Sequence, residues 1–286
     1  MPLRLTLAAL FAASCASALV PVSGQTTAAA PVATPVAETA ASTGPRSPAA
    51  TVAPLPTDVR QLIVGISGGW SSTRGKLWRY QRDHDGETWT RLTKDQGADI
   101  LLGRNGLGWG RGALGSPSSL AEQHSAKRER DGRAPAGCFQ ITRIYGNDDA
   151  LPSGASFPFR QVTRWDAWPD DPRNPYYNRH LVIDPAIGVP DWFESQRMRV
   201  GDPAYRWLIE IRHNADPPVP GAGSAIFFHI RRGPDRLTSG CTTMSEGNLQ
   251  AIVRWLSIDA KPHYVLLPRP IYRALQPVWK LPQLPG

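Results

Sequence analysis

Glycine and proline interrupt this chain so often, 26 and 28 times in 286 residues, that few stretches could carry a long helix. In a helix interior glycine costs about 1 kcal/mol and proline about 3 kcal/mol relative to alanine, whereas both favour turns, bulges and loop ends. The punctuation argues against a helix bundle or coiled coil and for a turn-rich, mainly β fold with a minor α part.

Position along the chain then separates the parts. All 10 Trp lie between Trp70 and Trp279, so the first 57 residues bring little bulk to a core. Residues 1–24 read as a signal peptide. Arg4 gives a basic start, Leu5 to Ala13 form an apolar run too short to span a bilayer, and Ala16-Ser17-Ala18 or Val22-Ser23-Gly24 offers small residues for cleavage. Cys15 leaves a lipoprotein as the alternative, although Ala12 stands where a lipobox usually has Leu. Residues 25–57, rich in Ala, Pro and Thr, read as an extended linker with nothing to pack. Export to the periplasm or cell envelope is the expectation, with no integral membrane segment after signal cleavage.

Nine short segments carry strand character: 62–67, 77–82, 89–93, 138–145, 160–163, 180–183, 207–213, 225–231 and 263–267. With little helix between them they predict an antiparallel sandwich or barrel. The main helix is expected from Glu246 to about Leu256, where Leu249, Ile252, Val253 and Leu256 recur on one face and Ser245 is placed as N-cap. The early strands, within 58–97, are either an edge extension or a small separate module. A formal net charge of +8 suits nucleic acid, a membrane surface or an acidic polymer, and scattered solvated arginine explains it equally. Export turns that balance away from nucleic acid and toward the cell wall.

Beyond the signal region only Cys138 and Cys241 remain, and one structural disulfide is the plain expectation for an exported chain. Their surroundings differ. Cys138 opens a strand, where any small apolar residue would serve, whereas Cys241 sits in the polar turn Thr238-Ser239-Gly240-Cys241 just before the helix. A cysteine nucleophile needs a base, because only the thiolate attacks. His229, at the end of the apolar segment Ala225 to Phe228, can supply one, and Arg231, Arg232 and Arg236 are expected to lower the thiol pKa. His229 is equally read as a hydrogen-bonded core histidine. His84, His124, His180 and His263 show no metal spacing, and no metal or cofactor is expected.

The stretch from Gly223 to Met244, followed by its helix, resembles the catalytic signature of the L,D-transpeptidases (YkuD-like domain). The upstream run from Lys127 to Phe139, with Asp131-Gly132 and Pro135-Ala136-Gly137, resembles a second ordered segment of that family. Together they cover about residues 98–268, which implies a catalytic domain over 98–270 followed by a C-terminal tail, 271–286. The resemblance implies a β-sandwich or barrel with one main helix after the catalytic cysteine loop. It also implies an enzyme of peptidoglycan stem peptides, with Cys241 as nucleophile, His229 as base and the Gly240 backbone as oxyanion donor. Release of D-Ala would leave an acyl-thioester for an amine on a second stem or on a wall-attached protein. Ser239 and Arg231, beside the turn, and the polar-aromatic pairs at Tyr177-Asn178 and His213-Asn214 are the candidate substrate contacts. Ser239 stands where the family usually has His, and Thr243 where it usually has Arg. The interval from His229 to Cys241 is also short, which resembles a divergent branch that includes hydrolases. The remaining alternatives are an L,D-carboxypeptidase, a hydrolase of wall-protein links, and a wall-binding module closed by a Cys138–Cys241 disulfide.

Overall fold

Strand β1 (Gln61–Ser67) is buried at all of its positions, as a continuous apolar run must be when both sheet faces are covered. It is bonded on both sides. In a computed structural model that describes residues 53–92, 96–115 and 123–285, β2 (Arg74–Gln81) pairs with it antiparallel and the equally buried β14 (His263–Pro268) parallel. The expected signal peptide, and the linker up to residue 52, lie outside the described residues.

The remaining strands are β3 (Thr90–Arg91), β4 (Ala98–Leu101), β5 (Leu107–Trp109), β6 (Ala134–Gln140), β7 (Ile144–Gly146), β8 (Phe159–Gln161), β9 (Asp166–Ala167), β10 (Leu181–Val182), β11 (Leu208–Glu210), β12 (Phe227–Ile230) and β13 (Thr242–Met244). Among the described residues one large sheet runs in the order β5-β6-β14-β1-β2-β4-β13-β12-β11-β7-β8, with β3 on β2; β9 and β10 form a separate ladder. The fold is mainly β, and its sheet is mixed rather than antiparallel: β1–β14, β5–β6, β7–β8 and β12–β13 run parallel. Loops such as 231–241 carry the chain back beside its own start, which local alternation does not reveal. The early strands are central, with β1 between β14 and β2, and not an added edge.

Among the described residues three α-helices accompany the sheet: α1 (Phe193–Gln196), α2 (Glu246–Trp255) and α3 (Arg269–Trp279). α2 forms where its spacing predicts, capped by Ser245 Oγ, which accepts from the Asn248 amide, and it buries Leu249, Ile252 and Val253. α3 occupies much of the expected tail. Pro268 is its N-cap and Pro270 lies in its first turn, where a missing N–H costs nothing. Its buried residues Ile271, Tyr272, Leu275 and Trp279 close over the core. The Leu55 amide donates to Trp279 O at 3.1 Å and the Leu55 side chain is buried, so the end of the expected linker packs after all.

Alternation splits the core. Phe228 and Met244 join the main cluster, and Thr242 Oγ1 meets Tyr264 OH at 3.2 Å. On the opposite face Phe227 joins a smaller cluster with Tyr145, Val162 and Leu208, against which Trp168, Met198, Tyr205 and Cys241 pack.

Candidate active site

The parallel register of β12 and β13 sets Phe228 beside Thr242, His229 beside Thr243 and Ile230 beside Met244. Since side chains alternate between faces, Phe227, His229, Cys241 and Thr243 share the face away from the main core. All four line one cleft of about 670 Å³. His229 and Cys241 are offset by two residues on neighbouring strands, a diagonal of about 8 Å between Cα atoms from strand spacing and rise. Their side chains converge into the same space.

His229 is buried, with its Nδ1 2.9 Å from Ile230 O. A carbonyl only accepts, so Nδ1 carries the proton and Nε2 keeps its lone pair. Burial pushes the imidazole pKa down to about 4, against the opposing bond to Ile230 O. Tyr205 packs edge-on against the ring at 5.1 Å, and Arg232 lies over Tyr205 while pairing with Asp202 at 2.5 Å. The imidazole is therefore neutral and held in place.

Cys241 is half-buried, with Sγ 3.6 Å from Ala225 O. Burial pushes its thiol up to about 11, and the Phe227 backbone and Lys127 only partly oppose that. The expected lowering by arginine is corrected here. Arg232 is tied to Asp202, Arg236 lies exposed on the rim, and Arg231 is not among the cleft-lining residues. Desolvation outweighs their distant charge, and the resting pair is a neutral thiol beside a neutral imidazole.

The cysteine turn is shaped by Thr238, whose Oγ1 accepts the Gly240 N–H at 3.1 Å and donates to Cys241 O at 2.6 Å. Gly240 has φ +153°, and a Cβ there would stand 2.9 Å from Arg133 O and 3.0 Å from Ile226 Cδ1. Only glycine fits, but its amide is engaged inside the turn rather than presented to the cleft. Ser239 is exposed on the rim, where its Oγ accepts from Arg104 at 2.7 Å.

Tyr177, Asn178 and His213 stand behind the wall, outside the cleft lining, and all three are buried. Tyr177 OH donates to Glu129 and accepts from the Gly223 amide at 3.1 Å. Asn178 Nδ2 donates to His213 O and Asn214 O, and its Oδ1 accepts from the Ala225 amide at 3.0 Å. These bonds hold 223–225, the approach to β12. His213 Nε2 donates to Ala222 O at 2.9 Å, Nδ1 accepts the Arg111 amide, and burial pushes the ring down to about 4. Composition identified these residues as polar clusters near the site but not the side on which they lie.

Sequence reasoning passed over Thr243, Trp168, Tyr205 and Glu129 as cleft residues. Trp168 and Tyr205 belong to no motif, because distant segments bring them to the cleft, whereas Thr243 was marked only as a departure from the family's usual Arg and Glu129 only as part of the upstream run. Lys127, at the start of the upstream run, is buried and bonded to Asp131 at 2.6 Å. Cys138 is a wholly buried free thiol on β6 and Cys241 a second free thiol, which removes the disulfide-closed module. Among the described residues no His, Cys, Asp and Glu cluster is placed to hold a metal, and no helix is long and apolar enough to cross a membrane.

Residues 73–265 match the family model YkuD, the L,D-transpeptidase catalytic domain. No curated protein and no solved structure matches the chain.

Proposed function

The chain belongs to the YkuD family of L,D-transpeptidase catalytic domains, and on that premise we propose that it is an exported, cysteine-dependent acyltransferase of peptidoglycan stem peptides. The observation that carries this reading is the placing of His229 and Cys241 on one face of a parallel strand pair, inside a common cleft, with the histidine tautomer set by Ile230 O.

In the proposed reaction Cys241 Sγ attacks the carbonyl carbon of the third stem residue while His229 Nε2 takes the thiol proton. Because thiol and imidazole are both neutral at rest, the proton moves as the sulfur–carbon bond forms. The carbonyl oxygen takes up negative charge, which backbone amides at Gly240 and Cys241 stabilise, Gly240 exchanging its Thr238 partner for the oxyanion. Breaking of the peptide bond releases D-Ala, whose nitrogen receives the proton from His229. An amine from a second stem or a wall-attached protein then displaces the thiol. Arg199 and Arg236, on the rim and without an ion-pair partner among the described residues, suit the carboxylates of such peptides.

Hydrolysis by an L,D-carboxypeptidase or a wall-protein hydrolase is the second reading, in keeping with Ser239 and Thr243 at the positions where the family usually has His and Arg. Incubation with disaccharide-tetrapeptide followed by intact-protein mass spectrometry tests the chemistry. An acyl adduct on Cys241, absent from Cys241→Ala, is the expected result. An adduct in the alanine variant, or none in the unaltered enzyme, refutes it. Digestion of the products separates transfer, seen as new 3-3 cross-links, from hydrolysis, seen as shortened stems.

A further inference from the structure

Among the described residues six arginines line the cleft, and three of them are paired with carboxylates: Arg130 with Asp170 at 3.8 Å, Arg197 with Glu194 at 3.2 Å and Arg232 with Asp202 at 2.5 Å. Arg104, Arg199 and Arg236 have no ion-pair partner among the described residues. Of these three, Arg104 alone has its side chain tied down, its Nη1 donating to Ser239 Oγ at 2.7 Å.

The backbone fixes Arg104 against the cysteine turn. The Thr238 amide donates to Leu102 O at 3.1 Å and the Arg104 amide to Thr238 O at 2.9 Å, so the loop after β4 runs along the segment that carries Cys241. On the other side the Asn105 amide donates to Gly132 O at 3.0 Å and Asn105 Nδ2 to Asp131 O at 2.8 Å. Gly132, at φ +69°, makes room for the arginine: a Cβ there would stand 3.1 Å from Arg104 Cγ and 3.1 Å from its Cζ. The guanidinium is thus laid over Gly132 and anchored at its tip to Ser239. That hydroxyl is neutral and engages one N–H, so the charge is uncompensated and most of a donor fork that matches a carboxylate is left free.

Position selects the carboxylate. Ser239 is two residues before Cys241, a span of at most about 7 Å between Cα atoms. In a donor peptide the terminal carboxyl stands one residue, at most about 3.6 Å, beyond the carbonyl carbon that Cys241 attacks. A peptide end seated at the sulfur therefore comes within reach of the Arg104 fork.

We propose that Arg104 is a specificity-determining residue that binds the terminal carboxylate of the leaving D-Ala, so that the cleft selects donors ending one residue past the bond to be broken. The inference rests on Cys241 acylation as read above, and it names the end of the donor that the cleft recognises. Ser239 and Gly132 hold the guanidinium ready, which lowers the entropy lost when the carboxylate docks.

The test crosses a change in the enzyme with a change in the donor. Unaltered protein and Arg104→Gln are each acylated with disaccharide-tetrapeptide and with the same donor bearing a terminal carboxamide, and acyl-enzyme is followed by intact-protein mass spectrometry against donor concentration. Loss of a charge-assisted contact made equally in ground and transition states predicts about a tenfold higher KM for the free-carboxylate donor in Arg104→Gln, with kcat within about twofold. The carboxamide donor should serve both proteins alike, at the raised KM. Acyl-enzyme already formed should pass to an amine acceptor at an unchanged rate, because D-Ala has by then departed. An equal loss on both donors overturns the proposal, since it marks a structural role for Arg104, and so does no loss on either. A loss that instead vanishes when the side-chain carboxyl of the third stem residue is amidated also overturns it, by placing the guanidinium on that group. Failure of the unaltered enzyme to acylate at Cys241 refutes the functional reading itself and is distinguishable from all of these.

Discussion

A neutral resting pair at Cys241 and His229 commits the thiol to a particular response to pH. Burial raises it from 9.0 to about 11, so near pH 7 about one molecule in 10,000 carries the thiolate. That is about 100-fold less than at the unshifted value, while the greater nucleophilicity of a high-pKa thiolate recovers somewhat under tenfold. Reaction with a small neutral disulfide should therefore be about tenfold slower than that of an unperturbed cysteine. Its rate should climb about tenfold per pH unit from about pH 6 to about pH 10, with no plateau. Cys138 does not interfere, because it is wholly buried and burial pushes its thiol higher still. Release of the chromophoric thiol from the reagent, followed across that range, measures the profile. A pH-independent rate between about pH 5 and about pH 8 would reveal a thiolate–imidazolium pair and refute the argument that desolvation governs this site.

The buried histidines predict acid sensitivity. His213 and His229 have folded pKa values of about 4 against 6.5, so the unfolded chain takes up protons first. The stability their neutral forms support is complete above about pH 6.5, falls as pH drops toward about 4, and amounts to about 3 kcal/mol for each at the lower limit. Denaturant midpoints at about pH 7.5 and about pH 5 should differ accordingly, and equal midpoints would contradict the assignment. Asp166 is wholly buried and bonded to Arg160 and His180, each at 2.7 Å, and to Thr163. Burial raises its pKa, but the bonds from His180, Arg160 and Thr163 prevail and hold the carboxyl well below its usual range. Asp166→Asn should cost about 3 kcal/mol by leaving those partners without their charge, as read by urea unfolding; a loss below about 1 kcal/mol would show that the cluster contributes little.

Much of the site could be read locally. Glycine, cysteine and a capped helix follow one another within Gly240 to Trp255, and that order is encoded by short-range rules: a φ only glycine tolerates, a serine at the N-cap, apolar residues three and four apart. His229 as the end of an apolar strand was legible for the same reason. α3 was not, because Pro268, Pro270 and Pro277 argue against a helix until their positions at its cap, first turn and last turn are known. Nor was β13, whose Thr242, Thr243 and Met244 look like part of a turn until β12 and β4 pair with them.

The amino-acid sequence by itself determined which groups are candidates for chemistry, since a cysteine in a glycine turn and a histidine ending an apolar strand are properties of residue type and spacing. Only the tertiary structure decided their state and surroundings. The parallel register placed Thr243, not a charged residue, beside His229, and packing put Tyr177, Asn178 and His213 behind the wall. Desolvation raised a thiol that nearby arginines had been expected to lower. Register and burial depend on segments far apart in the chain, and electrostatic free energy depends on how much water those segments exclude.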